Sequence, residues 1–395
     1  MASEDTDSYS SEELFNEFDP KIAANPQGRL RAMLERSPIE RTGDGSVRIS
    51  GRDEVKFAFR HTEIFSSANA INIGNKVPLI PLQIDPPLQT KYRKLVDPLF
   101  SRKRMNELEP SMRELAVQFI DRFADKGGCE FNSAFAIPFP CIAFLRLMGL
   151  PLDHLDFFLE LKDGIIRPEV SDGEDRQTKM NATGERIHAY FDTAIDERLA
   201  QRDDGLLSHF LDAEVDGEKL SRDEIQGICY LFLLAGLDTV TASLGCSMSY
   251  LAQHPEQRQQ IVDDPSLIPS AVEELLRWES PVGGVPRLVA QDAEVAGVKL
   301  KKGDHVGIGI ASANIDARGF PEPDNVDFNR RPNPHFAFGG GAHRCLGSHL
   351  ARMELRVAMD EFHKRIPVYS IKPGETLRYS TGIRQVDYLP LVFGT

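Results

Sequence analysis

The sequence lacks a bilayer-length run in its most apolar segment: residues 228–237 are too short to span and stop at Asp238. The first 19 residues are polar and acidic, without the basic and apolar regions of a secretion signal. Both absences point to a cytoplasmic protein with no membrane partner. Positive charge is scarce: 46 Lys and Arg against 60 Asp and Glu leave a net charge of −14. Nucleic acid is thereby excluded as a general partner, because phosphate binding needs a basic face. The five cysteines (129, 141, 229, 246 and 345) are odd in number and lack paired-ligand spacing. That excludes a disulfide framework and a structural zinc site, and suits a reducing compartment. Repeats, low-complexity tracts and flexible linkers are missing too.

What is present is enough apolar sequence, 41% of residues, to bury a large core. Helical periodicity recurs over residues 27–36, 104–123, 184–200, 222–251, 255–262, 268–278 and 348–359. Ser221 before Arg222-Asp223-Glu224 is a start signal, and Pro269 suits a first helical turn. Residues 46–50 and 286–310 carry β-branched alternation, with turns at Gly297 and at Lys302-Gly303-Asp304. The reading is a mainly α protein: a single domain over residues 1–395, with a helix-rich part, a minor β-sheet part and a flexible tail over residues 1–20.

Chemistry concentrates in Phe338-Gly339-Gly340-Gly341-Ala342-His343-Arg344-Cys345-Leu346-Gly347. One cysteine stands between a glycine-rich loop and a helix start, whose unpaired N–H groups and dipole favour a thiolate over a thiol. Glycines let the backbone approach a flat, bulky cofactor. Phosphate cradling is the rival use of such a loop, but the lysine and hydroxyl residue of a phosphate loop are missing. A buried inert cysteine is the plainer alternative.

Three other segments break local expectations. Ala235-Gly236-Leu237-Asp238-Thr239 sets a glycine, a carboxylate and a hydroxyl inside an apolar helix; Gly236 costs about 1 kcal/mol there against alanine. A kink or groove is its expected use, with Thr239 bonding back to a carbonyl of the preceding turn. Glu274 and Arg277, three apart on a helix, are either an ordinary surface pair or, with Arg330, a buried network that anchors the cysteine loop. Arg93 and Arg287 present guanidinium forks suited to carboxylates.

Taken in order, residues 89–93, 235–239, 274–277 and 338–347 resemble the cytochrome P450 superfamily of haem-thiolate monooxygenases. The last segment matches the family pattern FGxGxHxCxG at every fixed position, and the likeness, in the style of soluble bacterial members, runs through nearly the whole chain. The resemblance implies haem b with Cys345 as axial ligand. It places His343, Arg287 and Arg93 at the haem propionates, and Gln89 where many relatives have a second histidine. Phe338, Gly339 and Gly347 belong to the same cofactor loop, and Glu274, Arg277 and Arg330 to a structural ion network behind the haem. Asp238 and Thr239 match an acid–alcohol pair that delivers protons during dioxygen activation.

The implied reaction inserts one oxygen atom into a C–H bond. With no flavin or iron-sulfur module in the chain, the electrons must come from a ferredoxin and its NAD(P)H-dependent reductase. A basic patch of Lys91, Lys94, Arg344, His349 and Arg352 is the expected docking face. Matching positions give an apolar substrate pocket of Val77, Leu231, Leu234, Ala235, Val282, Val285 and Ile383. A medium-sized lipophile, such as a terpenoid, fatty acid, steroid or polyketide, fits such a lining. The likeness is to the camphor-hydroxylating branch, whose hydrogen-bonding tyrosine is replaced by Val77. The alternative function is a haem-thiolate binding or sensor protein that never turns over.

Overall fold

The computed structural model describes residues 20–170 and 173–394, so the expected tail lies, but for its last residue, outside the described residues. The principal helices are α1 (Pro26–Arg36), α2 (Arg52–Arg60), α3 (Leu88–Val96), α4 (Arg102–Ile120), α5 (Pro138–Met148), α6 (Leu155–Ile166), α7 (Arg176–Ala200), α8 (Arg222–Gln253), α9 (Ile268–Glu279) and α10 (Ser348–Arg365). A five-stranded sheet combines β1 (Ile39–Arg41), β2 (Val47–Ile49), β3 (Phe65–Ser66), β4 (Gly284–Val289) and β5 (His305–Gly309) in the order β1-β2-β5-β4-β3. Only β2 and β5 run parallel in it. The fold is mainly helical with small sheets, as expected from the sequence.

The spine is α8. Ser221 accepts a hydrogen bond from the Glu224 N–H while the Glu224 carboxylate accepts from the Ser221 N–H, which satisfies two orphan donors at its start. By length and composition α8 is apolar enough to cross a membrane, but 72% of that apolar stretch is buried inside the protein. Apolar clusters pack on both sides of it, one with α4, α9 and α10, the other with α5, α6 and α7. A helix covered on all sides has no polar stripe to show, which is why its sequence reads as nearly uniform.

Glu274 and Arg277 of α9 are fully buried and bound at both carboxylate oxygens, 2.8 and 2.9 Å apart. Arg330 Nε donates to the same two oxygens at 3.0 and 3.1 Å, and the Asp327 N–H and Asn333 Nδ2 add donors at 3.0 Å. Arg277 also donates to the carbonyls of Asn314 and Pro323. The surface-pair reading is therefore set aside: one carboxylate gathers the irregular stretch 323–333 that leads into the cysteine loop. Removing one partner from such a cluster strands charge in the core. Glu274→Ala is expected to lower stability by about 3–5 kcal/mol, read as a drop in the urea midpoint, and to weaken cofactor retention.

Candidate active site

Between α8 and the loop 338–347 lies a cavity of about 330 Å³. Gly339 and Gly341 have φ of +65° and +63°, the left-handed region that favours glycine. A Cβ on Gly341 would stand 1.8 Å from the Phe59 carbonyl oxygen, so α2 presses directly on the loop. The Cys345 N–H donates to the Phe338 carbonyl at 2.8 Å, and the Gly339 N–H to the Phe336 carbonyl at 2.7 Å, which shapes the loop into a tight turn three residues before α10. Phe338 is held from outside by the Arg352 guanidinium, 4.3 Å from its ring centre.

Cys345 lines the cavity, and the surface it exposes is cavity wall: the residue itself lies deep in the protein. Burial pushes its thiol up, while the Gly347 N–H and the charges of Arg93, Arg344 and Arg352 pull toward the thiolate. A Cβ on Gly347 would meet nothing within 4 Å, so the cavity is open beside Gly347, which lines it together with Cys345.

Cationic and donor groups gather at the cavity's edge. Arg287 is buried and its side chain donates, among the described residues, to its neighbour's carbonyl alone, Pro286 O at 2.6 Å; burial lowers its guanidinium to about 10. Among the described residues the buried His343 Nε2 has no hydrogen-bond partner; Asp85 is 3.5 Å away, and burial and Arg287 bring the imidazole down to about 4. Arg93 donates to the Arg344 carbonyl at 2.8 Å and pairs with Asp97 at 2.7 Å. Gln89 also lines the cavity, but its amide donates to Ala342 O at 2.7 Å and so braces the cysteine loop.

On the opposite wall, Leu231, Ala235, Thr239 and Ser243 follow one another at four-residue spacing along α8, one face of a helix. Thr239 Oγ1 donates to Ala235 O at 3.1 Å, the expected back-bond, and Ser243 Oγ to Thr239 O at 2.8 Å. Yet α8 is continuous through Gly236: a Cβ there would meet the Phe144 ring at 2.3 Å, so the glycine's space is filled by Phe144. Asp238 does not line the cavity. Fully buried on the adjoining stripe, it receives Arg167 Nη1 at 2.7 Å, Arg167 Nη2 at 2.9 Å and Lys162 Nζ at 3.1 Å.

Three expected pocket residues lie elsewhere. Leu234 shares Asp238's stripe and packs into the α5–α7 core. Val77 belongs to a loop laid on α7, where Gly74 fits against Gly184 and the Lys76 N–H donates to His188 Nε2 at 3.1 Å. Ile383 stands behind Val282, to which it is β-bridged, and Val282 takes the cavity face. Val285, Phe100, Phe144 and Phe232 complete an apolar wall. Sequence reading missed Lys162 and Arg167, and also Glu354, a buried carboxyl on the wall that burial raises well above its ordinary range. Its signal was a lone charge in the stripe Leu350, Ala351, Glu354, Ala358 of α10, half-buried at its start and buried from Glu354 on.

A family model for Cytochrome P450 matches residues 172–365. The Vitamin D(3) 25-hydroxylase of Pseudonocardia autotrophica is 33% identical over 94% of this chain and 94% of its own length. The chain belongs to the cytochrome P450 family. A second relative of this P450, the methyl-branched lipid omega-hydroxylase of Mycobacterium tuberculosis, is 35% identical over 89% of this chain and 85% of its own. Among solved structures, that of CYP109E1 from Bacillus megaterium in complex with testosterone superposes with a TM-score of 0.89 at 27% identity, covering 98% of this chain and 100% of that one. The chain is thus a P450 monooxygenase, an oxidoreductase whose family cofactor is a thiolate-held haem. The residues present fit such a group: a thiol facing open space, an orphaned imidazole nitrogen and a buried, ill-compensated guanidinium suit a flat cofactor with acidic edges. Because the buried Asp238 pairs with the half-buried Arg167 and shares the buried Lys162 with Asp163, Asp238→Asn is expected to cost about 3 kcal/mol of stability, measured by denaturant unfolding; an unchanged midpoint would contradict the ion cluster's role.

Proposed function

We propose that this P450 binds haem b through Cys345 and oxidises a C–H bond of a medium-sized lipophilic substrate, with electrons from a ferredoxin and its NAD(P)H-dependent reductase. The observation that carries the reading is a thiol on the cavity floor with Thr239 on the wall opposite and cations at the edge. When bound, haem supplies activation of dioxygen and insertion of one oxygen atom, the other leaving as water.

The chain's own residues do the rest. Arg287, His343 and Arg93 would hold the acidic edge of the haem, which would give His343 Nε2 a partner and Arg287 a counter-charge. Gln89, Phe338 and Gly339 fix the loop that presents Cys345, and Gly347 directs its N–H at the sulfur. Thr239 holds a proton at Oγ1 inside the cavity. Asp238 faces the ion cluster with Arg167 and Lys162, so it supplies protons only after a carboxylate oxygen leaves Arg167. Leu231, Phe232, Val282 and Val285 exclude water and receive an apolar substrate. Vitamin D, methyl-branched lipids and testosterone, named for the relatives, support a terpenoid, steroid or fatty-acid class.

The docking face is narrower than five residues. Lys91 pairs with Asp216, and Arg352 with Glu273 at 2.6 and 2.7 Å. Lys94 and Arg344 remain exposed, and His349 lies in the positive field of Arg352, Arg344 and Arg102. Thr239→Ala is expected to leave haem uptake intact while diverting most consumed electrons to hydrogen peroxide, measured as peroxide formed per NAD(P)H. Fully coupled turnover would remove Thr239 from proton delivery.

A further inference from the structure

Two successive carboxylates on α9 gather different stretches of chain. Glu274 holds residues 323–333, whereas Glu273, turned by about 100° on the same helix, faces α10 and the residues that come next. Both oxygens of Glu273 are taken by the Arg352 guanidinium, Nε at 2.6 Å and Nη2 at 2.7 Å, a bidentate fork. His335 adds Nε2 at 3.0 Å. The Ala337 N–H donates to His335 Nδ1 at 3.1 Å, so the ring carries its one proton at Nε2 and gives it to the carboxylate.

Each contact reaches the cysteine loop. His335 fixes Ala337 through that backbone bond. The Arg352 guanidinium lies 4.3 Å from the centre of the Phe338 ring, and the Phe338 carbonyl accepts the Cys345 N–H at 2.8 Å. One carboxylate therefore braces residues 335–338 from two sides, directly before the glycine turn. Little of the cluster meets water: side-chain exposure is 3% for His335, 23% for Arg352 and 27% for Glu273. Burial would raise the Glu273 carboxyl, but the His335 and Arg352 donors outweigh it and bring it down to about 2. Glu273 is an anion at neutral pH.

Charge matters here as well as position. Of the three guanidinium groups that act on the sulfur, Arg352 meets Glu273 and Arg93 meets Asp97, the more exposed of the two acids at 49%. Solvent screens an exposed pair more than a half-buried one. Glu273 is thus the acid better placed to set how much of a guanidinium's field acts on Cys345.

We propose that Glu273 is a positioning residue for Cys345: through His335 and Arg352 it fixes the chain that leads into the cysteine loop, and its charge offsets that of Arg352, so that electron density stays on the sulfur. The proposal rests on Cys345 as the haem ligand. An added electron is a negative charge beside the sulfur, so an uncompensated Arg352 favours the reduced state and an uncompensated Glu273 the oxidised one.

The test is an equilibrium dye titration of the haem reduction potential in substrate-free, haem-loaded protein, with no ferredoxin present. Glu273→Gln keeps the shape and an acceptor for Arg352, and should raise the one-electron reduction equilibrium by about threefold or more, ~28 mV where a tenfold change is about 59 mV. Arg352→Gln should lower it by a similar factor, Arg352→Lys should hold the parent value, and Glu273→Gln combined with Arg352→Gln should return to it. A purely structural role moves every variant in one direction; that result overturns the proposal, as does a parental potential in either single Gln variant. Should Glu273→Gln lose haem, Arg352→Gln against Arg352→Lys decides the matter, and equal potentials in those two overturn it. The reduced, carbon-monoxide-bound spectrum separates the two levels. A parent without the long-wavelength Soret band refutes thiolate ligation and the proposal with it, whereas a parent with that band and unmoved variants refutes the role of Glu273 alone.

Discussion

The proposed haem ligation needs an anionic sulfur inside the protein, and that electrostatic demand falls on the surroundings of Cys345. Burial by itself favours the neutral thiol. Opposing it are one directed N–H, from Gly347, and three guanidinium charges, from Arg93, Arg344 and Arg352. None of these acts unless the loop keeps its shape, and the loop is held at both ends. Phe59 of α2 presses on Gly341 from one side, Gln89 holds Ala342, and upstream the Glu274 carboxylate gathers Arg277, Arg330 and Asn333. The buried ion cluster is a weak source of net stability, because desolvation offsets much of its attraction. Its contribution is position: it fixes the chain that delivers the sulfur.

Helix geometry accounts for the division of labour opposite the sulfur. Successive residues on α8 are turned by about 100°, so Asp238 and Thr239 cannot share a face. Thr239 looks into the cavity with Ala235 and Ser243, while Asp238 looks toward α6 and its cations. In the proposed function this acid and alcohol would relay protons across two faces of one helix, with Arg167 as the lock. The apolar wall and the cavity volume suit a substrate that offers few polar handles, which leaves orientation to shape.

Much of this was legible in the sequence, and the failures have physical causes. α8, α9 and α10 were readable because caps, periodicity and length agree there. α2, α5 and α6 were passed over: α2 is short, and α5, with Phe139, Cys141, Phe144 and Leu145 all buried, has no polar face to give a period. The tight turn at the cysteine loop was legible because its glycines and the helical period that follows both mark a turn before α10. Leu234, Val77 and Ile383 were misplaced since alignment by motif gives neighbourhood and not facing; a single step along a helix moved Leu234 into the core. Lys162 and Arg167 went unseen because their partner, Asp238, lies 76 and 71 residues away in sequence.

The central claim is that Cys345 binds haem iron as a thiolate. Its most direct measurement is the absorption spectrum of the reduced, carbon-monoxide-bound protein, recorded for the parent and for Cys345→Ser. The account requires the long-wavelength Soret band of thiolate-ligated haem in the parent and its loss in the serine variant. A short-wavelength band in the parent, or a spectrum indifferent to the substitution, would contradict it.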